Sequence, residues 1–185
     1  MRIGVSGTHG TGKTTLAEEL CARLPGHVAI DEPYVLLEEE GYEFAFPPGP
    51  EDYRAQLARS VHLLRSPGPD VIFDRTPADF LAYLSAHGAG LSAHGAALDV
   101  DAAAVRSAMA TLDLLVLTPI TAETARVLPG ADLPELRQAV NDALLDLVYG
   151  DPLDAWPGLT VLELDGPLDR RCTAVLAALP RHPRG

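Results

Sequence analysis

The sequence predicts an α/β chain built as three α/β/α layers around a five-stranded parallel sheet. Three observations predict it. Short apolar runs recur at residues 2–6, 27–31, 70–74, 113–118 and 159–164. They are apolar throughout rather than alternating, as strands buried on both faces are. Segments with helical apolar spacing separate them, which is the βαβ arrangement of a parallel sheet. The first run also leads directly into Gly7-Thr8-His9-Gly10-Thr11-Gly12-Lys13-Thr14. That stretch fits the phosphate-loop pattern G-x-x-x-x-G-K-S/T at every fixed position, between a strand and a helix.

The residue types in this loop suit a polyphosphate. Glycines let the backbone wrap so that successive N–H groups point inward as an anion nest. The helix that opens near Lys13 adds its N-terminal dipole and its unpaired N–H groups. Lys13 supplies a full charge for the β- and γ-phosphates, the Thr14 hydroxyl suits magnesium, and Thr15 is placed for the α-phosphate. His9, Gly10, Thr11 and Gly12 complete the cradle.

Composition narrows the setting. A chain of 185 residues suits one domain, and 47% hydrophobic content with regular breakers marks it as globular. The 26 acidic against 14 basic residues give a net charge of −12, which argues against a nucleic-acid surface. No apolar stretch approaches the length of a membrane span, and Arg2 begins a strand rather than a secretion signal. The two cysteines, Cys21 and Cys172, fall in helix-like segments and read as small buried hydrophobes in a reducing, cytoplasmic setting.

The elements follow in order. Leu24-Pro25-Gly26 stops the first helix, and residues 27–31 form a second buried strand. Residues 34–40 form a short helix whose Glu38-Glu39-Glu40 end is solvated. Proline and glycine make 41–50 a loop. A helix over 51–65 carries Leu57, Val61 and Leu64 as its stripe. The third strand, 70–74, leads through Arg75-Thr76-Pro77 to a helix over 78–87. Residues 84–90 are nearly repeated by 91–97, which places His87 and His94 seven apart. Gly88, Gly90 and Gly95 interrupt any helix there, so the pair reads as a local duplication rather than a metal site. An alanine-rich helix over 101–111 precedes the fourth strand. Residues 119–133 are irregular and contain Arg126. A helix over 134–149 carries Leu136, Val140, Leu144 and Leu147. The fifth strand turns through Asp165-Gly166-Pro167 into the last helix, 168–179. Trp156 sits in a turn, where packing is its expected role.

Right-handed crossovers place the carboxyl ends of all strands on one edge with the phosphate loop. Asp31-Glu32, Asp74-Arg75 and Thr118-Pro119 therefore meet there. On these residues the chain resembles a P-loop kinase of the nucleoside and nucleotide kinase group, in the P-loop NTPase fold. The opening GTHGTGKTTLAEEL is similar to small ATPase/kinase domains related to the ribosylnicotinamide kinase domain of NadR-type proteins. Asp31-Glu32-Pro33 resembles the Glu-Pro of deoxynucleoside kinases, and Asp74-Arg75-Thr76 their Glu-Arg-Ser or the Asp-Arg of relatives. Gly166-Pro167 resembles the loop that flanks adenine.

The resemblance implies ATP and Mg²⁺, with transfer of the γ-phosphate to a hydroxyl of a nucleoside-like or other small metabolite. It implies Glu32 as the proton acceptor, with Asp31 either sharing that work or holding magnesium through water. It implies Asp74 for magnesium, Arg75 for the transferring or acceptor-side groups, and Pro167 beside the base. It also implies an arginine-bearing lid over about 119–137, with Arg126 and Arg137 as candidates. The lid is poorer in charge than in many nucleotide kinases, and Thr76 stands where Ser is usual. No N-K-x-D guanine motif occurs, which favours adenine. An acceptor cleft is expected among Tyr34, Tyr42, Phe46, Tyr53, Arg54, Gln56 and Tyr83. A homodimer is one possible assembly. The competing expectation is an ATP-binding regulatory or partner-gated ATPase without a small-molecule acceptor.

Overall fold

Five strands form one sheet in which every neighbouring pair is parallel. They are β1 (Arg2–Ser6), β2 (Val28–Ile30), β3 (Val71–Asp74), β4 (Leu114–Leu117) and β5 (Thr160–Glu163), in the spatial order β2-β3-β1-β4-β5. The structure is a computed structural model that describes residues 1–88, 100–121, 133–154 and 156–179. Among these residues lie helices α1 (Lys13–Arg23), α2 (Pro33–Glu39), α3 (Pro50–Arg65), α4 (Pro77–Ala86), α5 (Ala102–Met109), α6 (Pro134–Gly150) and α7 (Leu168–Ala178).

The sheet is sandwiched, and strand side chains alternate between two cores. Ile3, Val5, Ile72, Leu114 and Val116 pack with α1 and α7, through Leu16, Leu20, Cys172 and Val175. Phe73, Leu115 and Leu117 face the other way and pack with α3, α4, α5 and α6. Both faces are apolar, so the central strands read as unbroken hydrophobic runs. Gly4 is the exception in β1. A Cβ there would lie 2.5 Å from Thr76 Cγ2 and 3.0 Å from Leu112 Cδ1, so only glycine fits.

β1 lies between β3 and β4, with Val5 opposite Asp74 and Ser6 opposite Leu117. The segments that leave the carboxyl ends of these three strands are therefore forced together. Local chemistry sets how each helix starts. Thr76 caps α4, accepting from Ala78 N at 3.3 Å, while Asp79 accepts from Thr76 N at 2.9 Å. Asp52 accepts from Gly49 N at the start of α3, and Asp101 from Ala104 N at the start of α5. These are capping arrangements that satisfy helix-end donors.

One expectation changes. The second strand is not buried: β2 is a three-residue edge strand, with Val28 57% exposed. Among the described strands it pairs only with β3. Trp156 is buried, and its indole N–H donates to the Val148 carbonyl at 3.0 Å, as a packing residue should. Cys172 is buried and Cys21 half-buried, both free.

Candidate active site

The phosphate loop hangs from the end of β1 and is held from both sides. Toward β4, the Thr11 and Thr118 hydroxyls lie 2.9 Å apart, and Thr118 donates to the Ser6 carbonyl at 3.2 Å. A Cβ on Gly7 would lie 2.4 Å from Thr118 Oγ1, so the loop's first glycine is there for close approach. Toward β3, Gly7 N donates to Asp79 Oδ1 at 2.9 Å. Gly12 takes φ +81°, the left-handed conformation that turns the chain into α1. From the far side, Arg171 of α7 donates to the Thr11 carbonyl at 2.8 Å and to the Gly166 carbonyl at 2.7 Å.

Lys13 folds back over this loop. It is 5% exposed, and its Nζ donates to the Thr8 carbonyl at 2.8 Å. Burial, then the nearby Arg75 guanidinium, push its ammonium down to about 8 against the pull of Asp79, Asp74 and Glu32. Thr14 donates its hydroxyl to Asp74 Oδ2 at 2.5 Å. The other oxygen, Asp74 Oδ1, is buried without a hydrogen-bond partner among the described residues, and burial raises this carboxyl above its ordinary value. A hydroxyl beside a carboxylate with an unspent oxygen is a hard-donor set that fits magnesium.

Arg75 organises the side of the site facing β2 and α4. Its backbone sits at φ +75°, a costly conformation for a residue with a Cβ. Three contacts hold it: Nε donates to Glu32 Oε2 at 2.5 Å, and Nη1 to the Gly7 carbonyl at 3.2 Å and Asp79 Oδ1 at 3.4 Å. Its guanidinium also lies 5.6 Å from the Tyr83 ring centre. Burial alone would raise the Glu32 carboxyl. The charge and hydrogen bond of Arg75, with Lys13 and His9 behind them, hold it below its ordinary value instead. Glu32 is thus ionised at neutral pH within reach of the phosphate loop.

Beyond this pair opens a cleft of about 300 Å³. His9 lines it from the phosphate loop, with Glu32 and Arg75 from the ends of β2 and β3, Tyr34 from α2, Phe46 from the loop before α3, Tyr53 and Gln56 from α3, Tyr83 from α4 and Leu136 from α6. Tyr53 and Tyr83 stack with ring centres 4.6 Å apart, and the Tyr83 hydroxyl lies 3.5 Å from His9 Nδ1.

The expected residues do not all arrive there. Lys13, Thr14, Glu32, Asp74 and Arg75 converge. Asp31 is exposed, and Arg75 pairs with its neighbour. Tyr42 turns away to donate to Asp52, and Arg54 pairs with Glu51 beside a separate groove between α3 and α5. Gly10 and Thr15 are exposed at the loop, and Pro167 is exposed at the start of α7. Arg126 and His94 lie outside the described residues. Arg137 reaches the loop from α6, donating to the His9 carbonyl at 2.9 Å. Sequence reasoning missed Asp79 and Arg171. Asp79 announces itself only as the fourth residue of a Thr-Pro-Ala-Asp capping box. Arg171 has no local signal, because its partners lie 160 and five residues away.

A strand, an anion-binding loop with one buried lysine, a helix, and a paired acid and arginine across a cleft define a P-loop phosphate-binding site on a kinase-type fold. The family comparison agrees. A family profile described as an AAA domain matches residues 2–150, and the chain belongs to that family. No curated protein sequence matches the chain.

Solved structures share the fold. Deoxyadenosine kinase from M. mycoides with bound dATP superposes with a TM-score of 0.59 at 16% identity, over 96% of this chain and 98% of its own. Thymidylate kinase from Candida albicans gives 0.61 at 16% identity, over 95% and 89%. NadR protein in complex with NR gives 0.62 at 18% identity, over 100% of this chain and 52% of NadR. Among the described residues no helix is long and apolar enough to cross a membrane.

Proposed function

We propose that this protein is an ATP-dependent small-molecule kinase that transfers the γ-phosphate to a hydroxyl of a nucleoside-like or other small metabolite. The observation that carries the reading is the ionised Glu32, held by Arg75 between the phosphate loop and a second, aromatic cleft. A site built for hydrolysis alone has no need of that cleft.

In this reading each residue has a role. Gly10, Thr11, Gly12, Lys13 and Thr15 would hold the ATP phosphates, with His9 at the border of the cleft and Pro167 beside the adenine. Thr14 and Asp74 would hold magnesium, which supplies charge neutralisation on the phosphate oxygens. As the acceptor oxygen bonds to the γ-phosphorus, the bond to the β–γ bridging oxygen breaks and ADP leaves. The acceptor's hydroxyl proton passes to Glu32, with Asp31 available to share it. Arg75 spreads the charge of the moving group, joined by Arg126 from a lid-like segment over about 119–137. Residues 1–185 act as one domain.

The test is ADP release with ATP and magnesium across a library of hydroxyl-bearing metabolites. At least one compound is expected to raise turnover, with Lys13→Ala abolishing it and Glu32→Ala lowering it by about a hundredfold or more. ATP turnover indifferent to every compound would sink the kinase reading in favour of a regulatory ATPase.

A further inference from the structure

Among the described residues, four cationic side chains hydrogen-bond to the phosphate loop, and all four land on its carbonyls. Arg75 Nη1 donates to the Gly7 carbonyl at 3.2 Å, and Lys13 Nζ to that of Thr8 at 2.8 Å. Arg137 Nε donates to the carbonyl of His9 at 2.9 Å, and Arg171 Nη1 to that of Thr11 at 2.8 Å. A trans peptide is planar, so its C=O and N–H point in opposite directions. A carbonyl held by a cation therefore turns the next N–H the other way. Arg137 fixes the Gly10 N–H in this manner, and Gly10 takes φ +72° as the chain turns there.

Arg137 differs from the other three. Arg75 also bonds to Glu32 and Asp79, Lys13 belongs to the loop itself, and Arg171 holds a second carbonyl at Gly166. Among the described residues, the bond to His9 is the one hydrogen bond that the Arg137 side chain makes. An arginine that swings onto a transferring phosphate needs room to move. Arg137 has none: it is 6% exposed, and Val140, Leu144 and Leu147 anchor its helix in the core with α4. Its Nη2 is buried without a hydrogen-bond partner among the described residues. Keeping a buried guanidinium with a donor to spare is costly, which points to the bond it does make as its use.

We propose that Arg137 is a positioning residue for the donor: it holds the His9 carbonyl so that the Gly10 N–H is already aimed at the phosphates when a nucleotide arrives. A donor fixed in advance needs no reorganisation on binding, which is how preorganisation raises affinity. The family resemblance implied a lid role for Arg137; its place is behind the loop instead. That role needs the loop to bind phosphates and needs no acceptor, so it rests on the nucleotide half of the proposed function alone.

The experiment is calorimetric titration, in EDTA, of wild type, Arg137→Met and Arg137→Lys with inorganic pyrophosphate, ADP and a non-hydrolysable ATP analogue. Met keeps an apolar stem and removes the donors. It should weaken all three ligands by a similar factor, about tenfold. The loss should persist at about 0.5 M salt, because orientation is not screened as a distant charge is. Lys still offers a donor and should bring affinity back to within about threefold of wild type. In wild type alone, the Arg137 Nε–H signal in NMR should stay protected from exchange, both empty and with pyrophosphate bound. That measurement stands even if Arg137→Met does not fold.

A loss confined to the ATP analogue means that Arg137 touches the γ-phosphate, and overturns the inference. Unchanged affinities beside a lowered thermal midpoint mark a purely structural residue and overturn it as well. So does a loss that vanishes in salt, or an Arg137 signal that loses protection when pyrophosphate binds. Wild type that binds none of the three ligands removes nucleotide binding itself, and the inference with it.

Discussion

Lys13 is the only lysine in the chain, so its titration can be read directly. Its ammonium sits near 8 when the site is empty, against an ordinary 10.5, chiefly because burial strips its water. In the unfolded chain it titrates normally. Between pH 8 and 10.5 the unfolded state therefore holds a proton that the native state has released. Stability must rise with pH across that window, by about 1.4 kcal/mol per unit at its steepest. Integrated from pH 7 to 10, the gain is about 2–3 kcal/mol.

The assay is urea denaturation in EDTA without nucleotide, comparing wild type with Lys13→Met. Titrations of groups remote from Lys13 are common to both proteins and cancel in the difference. Loss of the hydrogen bond to Thr8 adds an offset that does not vary with pH. The wild-type curve should climb relative to the variant by about 2–3 kcal/mol, and the side-chain NMR signal of isotopically labelled lysine should titrate near pH 8. Parallel stability curves, with a lysine signal titrating near 10.5, would refute the argument that burial governs this cation.

Three further substitutions test the framework. Asp79→Asn keeps the shape but sets an amide N–H against a backbone donor and leaves Arg75 with one acid. It should cost about 2–4 kcal/mol in urea denaturation. Arg171→Ala abandons two carbonyls at once; the KM for ATP should rise about tenfold while the acceptor KM holds, measured by varying each substrate in turn. Gly4→Ala drives a methyl group into Thr76 and Leu112. It should cost about 1–3 kcal/mol, read as a fall in thermal midpoint.

The sequence made the phosphate loop legible because every requirement there is local: glycines, one lysine and one threonine within eight residues. The strand ends could be read because parallel topology gathers them on one edge. Lateral position was hidden. His27-Val28-Ala29-Ile30 looks as buried as the run before Asp74, yet β2 lies at the edge, and only the strand order reveals it. The positions of Asp79 and Arg171 were hidden for a related reason. Each looks like an ordinary helix residue, one a capping acid and one a charge on a last helix. Their work is done on backbone atoms contributed by distant segments. The aromatic cleft was half legible: Tyr34, Phe46, Tyr53, Gln56 and Tyr83 could be placed near it. Which way Tyr42 and Arg54 would turn depended on Asp52, ten residues on, and on Glu51, one turn back.

The bond from Arg171 to Thr11 spans nearly the whole chain, and that sets an order of events during synthesis. The phosphate loop leaves the ribosome 160 residues ahead of the side chain that fastens it. β1 must also wait, first for β3 and then for β4, before it has neighbours on both sides. A nascent chain stalled before α7 would therefore carry the loop's full motif and still lack its clasp. Nucleotide binding should switch on late, as an indicator that the final helix has docked, rather than accumulate as the chain lengthens.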